Sequence, residues 1–319
     1  MEKQCPSCLS RSTKKIGQHR GRQRFQCTRC GKKFQNARRE RTRFFDQLWR
    51  DYVWKKQTLE QLSQAYDKSI PWIQAALDRH ELRLPVLTPR PTVVVGDGFY
   101  FQRGLGIMLF RSPSLHQNLH WFQIGYETVG DYVRGIARLE RDGWTVQEFV
   151  CDGRPGVKAA FAGQFPVQMC HFHQVAIVTR YLTQRPKLEA AKALKALVAT
   201  LKSATEAAFT ADLARWYEQW ADFLKERTLL NERTKTGRQR WWYTHRRIRS
   251  AYRSLMANLP YLFTFERHPD LHIPKTTNSL DGSISHLRDK LGTHRGVKLT
   301  QRIKITEELL KGKDPQKFQ

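Results

Sequence analysis

The chain has 319 residues, of which 40% are hydrophobic and 11% aromatic, and its formal net charge is +27. This apolar content excludes an intrinsically disordered protein, and the length allows one large core or two to three smaller ones. Lys and Arg outnumber Asp and Glu by 56 to 29, an excess that solubility does not require and that a polyanion such as nucleic acid normally balances.

The first residues, MEKQCPSC, contain no apolar run, and no apolar stretch of the sequence approaches membrane-spanning length. We therefore predict a soluble, cytoplasmic protein in a reducing compartment. The first 50 residues hold 15 Lys/Arg against three acidic residues. This region could be a solvated basic tail, but Phe25, Phe34, Phe44 and Phe45 lie among the charges, which favours nucleic-acid binding.

Two Cys-x-x-Cys pairs open the chain, namely Cys5 with Cys8 and Cys27 with Cys30. Each pair can supply half of a tetrahedral zinc site. The spacing predicts a zinc ribbon over residues 1–36, with structural Zn²⁺ as its cofactor. Two disulfides are the alternative, although nothing else in the sequence indicates secretion.

Residues 37–85 are predicted to be helical. Thr58 can cap one short helix and Ser69 a second, with a tight turn between them. Such a pair resembles a helix-turn-helix, whose second helix would present Gln74 and Arg79 to the major groove. An ordinary helical hairpin is the alternative. Prolines 85, 89 and 91 then mark a linker.

The next segment, 86–182, has hydrophobic patterns in the order β-β-β-α-β-α-β-α, which predicts the first part of an α/β domain with an RNase H-like fold. Residues 183–265 are predicted to be an all-helical insertion, and 266–319 the C-terminal part of the same domain. The insertion ends in a basic and aromatic segment that could bind DNA or could form an amphipathic helix. Its candidate DNA contacts are Arg240, Trp241, Trp242, Arg246 and Arg247.

Two aspartates stand where this order brings strands together. Asp97 follows three valines inside the first strand, and Asp152 ends the fourth strand. Because those strands are neighbours in an RNase H-like sheet, the two carboxylates are expected to meet at one edge. Paired carboxylates of this kind bind Mg²⁺ or Mn²⁺ and support phosphodiester chemistry.

Further motifs accompany this pair: Cys170 with His173 in a C-x-x-H arrangement, and the segment TTNSLDG at 276–282. With these motifs the chain resembles DDE-class transposases of bacterial insertion sequences, in the Mutator-like branch. The resemblance implies a DNA transposase that acts on duplex DNA, both at the element ends and at the target. Because such a reaction must pair two ends, we also expect a homo-oligomer. Metal at Asp97, Asp152 and a third acid would catalyse strand cleavage and strand transfer in a nucleoid-associated, non-membrane protein.

The third acid departs from the family pattern. Where that pattern has Glu, this chain has Asp281. Asp281 could instead be a helix-start residue behind an Asn278 cap, in which case Glu307 or Glu308 would be the next candidates. Cys170 and His173 could bind metal or pack beneath the active edge. A DNA-binding regulator with an inactive domain and a structure-specific nuclease are the rival functions.

Overall fold

The computed structural model describes residues 4–19, 22–35, 39–83, 85–161, 163–233, 236–294 and 296–312. The chain divides into two compact units. Residues 1–82, 293–305 and 314–319 belong to the first, and residues 83–292 and 306–313 belong to the second.

The first unit begins with a small antiparallel sheet in the order β1-β2-β3, formed by β1 (Thr13–His19), β2 (Arg22–Cys27) and β3 (Lys33–Gln35). The ring of Phe25 is buried and stacks on Phe34 with a centroid distance of 5.9 Å. So small a sheet has almost no other core, which is why a module of this kind depends on cross-linking at its cysteines.

Three helices follow, α1 (Arg39–Val53), α2 (Leu59–Tyr66) and α3 (Ile70–Asp78). Their shared core consists of Leu48, Trp49, Tyr52, Val53, Leu62, Ile73 and Leu77. Thr58 caps α2 in a full capping box with Gln61, as its sequence predicts. Ser69 occupies the cap position of α3 without a side-chain capping bond, and α3 ends at Asp78, so Arg79 lies just past the helix.

The second unit is built on a mixed five-stranded sheet. Its strands are β4 (Pro91–Gln102), β5 (Leu105–Ser112), β6 (Gln117–Ile124), β7 (Thr145–Cys151) and β8 (Val167–Met169). Their order is β6-β5-β4-β7-β8, antiparallel among the first three and parallel from β4 to β8. The helices α4 (Val129–Arg141), α5 (Val157–Ala160) and α6 (His171–Leu182) connect and follow the parallel strands. The chain therefore has the element order that the hydrophobic pattern predicts.

Helix α4 covers one face of this sheet. The buried core there includes Val94, Phe110, Tyr132, Ile136 and Phe149. Burial of Val94 on β4 and of Phe149 on β7, which are partners in the parallel register, fixes that register, since a slip of one residue would turn the slipped strand's side chains to the opposite face. This core thereby fixes the positions of the loops at the carboxyl ends of the strands.

The insertion carries α7 (Glu189–Ala199), α8 (Glu206–Lys225), α9 (Arg246–Leu262) and α10 (Thr264–Arg267). The prediction of an all-helical insertion is wrong, because an antiparallel hairpin of β9 (Arg227–Arg233) and β10 (Gln239–Tyr243) lies between α8 and α9. Three consecutive aromatic residues favour a strand over a helix, and Gly237, with φ of 75°, allows the turn between the strands.

The chain continues through α11 (Asn278–Thr293) and α12 (Leu299–Leu310). Helix α11 begins at Asn278 itself. The sequence pattern predicts Asn278 as the N-cap, just before the helix, so the observed helix starts one residue earlier than predicted. In the part of the chain that the structure describes, no helix has the combination of length and apolar character that a bilayer crossing needs.

Candidate functional site

A cluster of three carboxylates lies at the end of the five-stranded sheet toward which the parallel strands β4 and β7 run. Oxygen atoms of Asp97, Glu127 and Asp152 all lie within 4.8 Å of one another. The parallel register pairs Val95 of β4 with Val150 of β7, so Asp97 and Asp152 are carried to the same level of the sheet. The expected meeting of these two aspartates is therefore observed.

The third member of the cluster, Glu127, was not among the residues singled out from the sequence. It comes from the loop between β6 and α4, directly before Thr128, which caps α4 in a capping box with Asp131. Strand β6 runs in the same direction as β4, because both are antiparallel to β5, so its carboxyl end reaches the same edge. The sequence does contain a signal for Glu127, since it is an acidic residue between a predicted strand and a capping box.

Glycine at position 98 makes room for Glu127. A Cβ built on Gly98 would lie 2.9 Å from Oε2 of Glu127 and 3.1 Å from its Cδ. A side chain at position 98 would therefore displace the Glu127 carboxylate from the position it occupies. The backbone N–H of Gly98 also donates to Oδ1 of Asp97 at 2.7 Å, which orients that carboxylate at the edge.

The electrostatics of the cluster are those of carboxylates held close together, an arrangement that could bind a cation. Burial and the charges of Asp152 and Glu127 raise the pKa of Asp97, His173 lowers it, and the net value is about 7. Three carboxylates at this separation repel one another when all are ionised. A divalent cation removes that repulsion, and oxygen ligands of this kind suit Mg²⁺ or Mn²⁺.

Tyr132 and Arg154 donate hydrogen bonds to two carboxylates of the cluster. The hydroxyl of buried Tyr132 donates to Oε1 of Glu127 at 2.7 Å and lies 3.5 Å from Oδ1 of Asp152. Arg154 donates from Nε to the same Glu127 oxygen at 2.8 Å and from its backbone N–H to Asp152 at 2.9 Å. These bonds fix two of the carboxylates in one geometry and leave Asp97 as the member least compensated by donors.

Cys170 and His173 lie beside this edge, at the start of α6. Cys170 is buried, and its sulfur accepts from the backbone N–H of Thr277 at 3.3 Å and from its hydroxyl at 3.5 Å. Hydrogen bonding to Cys170 raises the pKa of His173 to about 9, with further contributions from Asp97 and Asp152. Neither residue belongs to a group of three or more potential metal ligands among the described residues. Their contacts match the packing alternative, in which the motif joins the TTN segment to the sheet.

The structure places Asp281 on the exposed side of the first turn of α11. Its backbone N–H donates to the carbonyl of Thr277 at 3.3 Å, and its carboxylate is not part of the cluster that Asp97 and Asp152 form. Glu307 is half-buried, and Glu308 is buried and ion-paired with Lys311 at 2.6 Å. In the described residues, the cluster's third carboxylate is that of Glu127.

A second candidate metal site is formed by the four N-terminal cysteines, whose sulfurs also lie within 4.8 Å of one another. The Sγ atoms of Cys5 and Cys30 are 3.5 Å apart, as are those of Cys8 and Cys27. Sulfurs around a tetrahedral zinc ion with bonds of about 2.3 Å lie about 3.8 Å apart, whereas a disulfide bond is about 2.05 Å long. All four thiols are free, so the arrangement fits a zinc ribbon and not two disulfides.

Backbone N–H groups assist this site. Hydrogen bonds from Cys30 and Arg29 lower the pKa of the Cys27 thiol to about 6. A thiolate is the form that binds zinc. Backbone N–H groups thus favour the thiolates of Cys27 and Cys5, whereas the neighbouring thiols raise the pKa of Cys8 to about 12.

The candidate DNA contacts lie at the surface in two places. Gln74 and Arg79 are exposed in and just after α3. The remaining candidates lie in β10 and at the start of α9, where they are exposed: Arg240, Trp241 and Trp242 in β10, and Arg246 and Arg247 in α9. The amphipathic-helix alternative for this segment is thus wrong for residues 239–243, which form a strand.

Comparison with known proteins assigns the chain to no family. No protein-family model matches the chain, and no curated protein matches it.

Proposed function

We propose that this protein is a DNA transposase whose second unit has an RNase H-like fold and holds Mg²⁺ or Mn²⁺ at Asp97, Glu127 and Asp152. The observation that carries the proposal is the meeting of three carboxylates from separate segments at one sheet edge, within 4.8 Å of one another. The strand order β6-β5-β4-β7-β8, the four-cysteine cluster and the charge of +27 support it.

A divalent ion bound at such a site activates the attacking hydroxyl and stabilises the leaving oxygen in phosphodiester transfer. The residues of the chain supply the rest. Asp97 and Asp152 offer oxygens from neighbouring parallel strands, and Glu127 closes the cluster from the β6–α4 loop. Tyr132 and Arg154 keep Glu127 in place, and the excess of basic residues attracts the DNA backbone.

The experiment is a cleavage and joining assay on a plasmid that carries the DNA segments flanking the gene. We expect Mg²⁺-dependent cuts at the ends of inverted repeats, followed by joined products with a target duplex. Asp97→Ala should abolish cutting and joining and retain end binding, because a lost metal ligand disables the chemistry without affecting the cysteine cluster. Cutting without joining would establish a nuclease instead, and end binding without either would establish a regulator.

A matched pair of variants identifies the third ligand. Glu127→Gln and Asp281→Asn each replace one carboxylate by an amide of the same shape. If Glu127 is the ligand, Glu127→Gln loses activity by several orders of magnitude and Asp281→Asn retains it. The reverse result would move the third ligand to Asp281 and require α11 to approach the cluster when DNA binds.

A further inference from the structure

The β9–β10 hairpin exposes aromatic side chains that a protein ordinarily buries. It forms a two-stranded sheet of its own, and the side chains of residues 239–242 are exposed. Trp241 is 41% exposed and Trp242 is 40% exposed. Neighbouring residues of a strand point to opposite faces, so each face of the hairpin carries one exposed indole.

Each of these rings has an arginine against it. The guanidinium of Arg227 lies 3.9 Å from the ring centroid of Trp241, and that of Arg246 lies 4.8 Å from the ring of Trp242. A guanidinium stacked on a ring keeps its N–H donors in the plane, where they can bind phosphate. Trp241 also has the edge of Tyr243 at a centroid distance of 5.1 Å, but about two fifths of each indole is exposed, which leaves surface on which a second planar group can stack. Each pair thus offers one surface for a base and one set of donors for a phosphate.

The charge of the hairpin indicates the kind of partner. Residues 227–249 contain eight Lys/Arg and one acidic residue, Glu232. This density disfavours an apolar protein partner and matches a polyanion. Within a duplex the faces of the bases are covered by their neighbours, so an indole can stack only where a strand is unpaired.

We propose that the β9–β10 hairpin binds an unpaired polynucleotide strand, with Trp241 and Trp242 stacking on bases and Arg227 and Arg246 contacting phosphates. This inference goes beyond the proposed function, since it needs neither the acidic cluster nor a cleavage reaction. In the context of that function, the strand would be one that becomes unpaired at an element end.

The test measures binding of the full-length chain to fluorescent oligothymidylate, to oligouridylate and to a duplex, without added Mg²⁺, by fluorescence anisotropy. Trp241→Ala and Trp242→Ala should each weaken binding to both single strands about ten-fold and change duplex binding by less than about two-fold. Trp241→Phe should restore most of the affinity, because the smaller ring still stacks. Arg227→Gln should lower the slope of log K against log salt by about 0.7 on single strands.

The matched control is Tyr217→Ala, which removes a 39% exposed aromatic ring of α8 that stacks on Tyr252; among the described residues its ring has no stacked guanidinium like those of Arg227 and Arg246. It should leave single-strand binding unchanged, and circular dichroism of all variants should match that of wild type. Equal weakening on single strands and duplex, or no weakening by either tryptophan variant, would overturn the proposal. Because no cleavage is measured, these outcomes are independent of the Asp97→Ala test.

Discussion

The raised pKa of Asp97 makes metal binding at the acidic cluster depend on pH in a predictable way. Burial and the charge of Asp152 raise this pKa to about 7, and only the ionised carboxylate binds a cation. The ionised fraction rises from about one tenth at pH 6 to about nine tenths at pH 8. We therefore expect the apparent Mn²⁺ dissociation constant to fall about ten-fold over this range, with about half a proton released per ion at pH 7.

Isothermal titration calorimetry of the zinc-loaded protein measures both quantities, when each pH is studied in two buffers of different ionisation enthalpy. His173, whose pKa is about 9, keeps most of its proton throughout this range. Asp97→Asn should remove the Mn²⁺ site. The control Asp142→Asn alters a carboxylate that pairs with Arg138 on α4 and should leave the titration unchanged.

A carboxylate of ordinary pKa would be ionised at both ends of the range and would give no such trend. Dissociation constants equal within a factor of about two at pH 6 and pH 8, with no proton release at pH 7, would refute the electrostatic description of the cluster.

Three further outcomes are expected. Tyr132→Phe removes the donor to Glu127 and Asp152, so Mn²⁺ affinity should fall about ten-fold; an unchanged titration would show that the hydroxyl does not position the cluster. Burial raises the pKa of Glu148 from 4.5 to about 8. The free energy of unfolding therefore contains a term from protonated Glu148 that is full below pH 4.5 and is lost as the pH rises to about 8. In urea unfolding, Glu148→Gln should lose about 2 to 3 kcal/mol less stability than wild type between pH 5 and pH 7, and equal losses would contradict the raised pKa. Cys27→Ser should lower the zinc content, measured by mass spectrometry, from about one ion per chain, and wild-type protein without zinc would contradict the ribbon.

The sequence alone was sufficient for features set by local pattern. The two Cys-x-x-Cys pairs predicted a cluster of four sulfurs because each knuckle is a short local structure. The alternation and length of the apolar runs predicted the elements from β4 to α6, and Thr58 predicted the start of α2. Asp97 and Asp152 could be paired because parallel strands of known order bring equivalent positions together.

Other features were decided by the tertiary structure. Glu127 joins the cluster only because β6 runs parallel in direction to β4 and Gly98 leaves space for its carboxylate. The hairpin of residues 227–243 depends on pairing between two segments, which no helical or strand period within either one reveals. The family pattern placed the third acid at Asp281, but a carboxylate's place in a cluster depends on how its segment packs, and a linear motif does not contain that information.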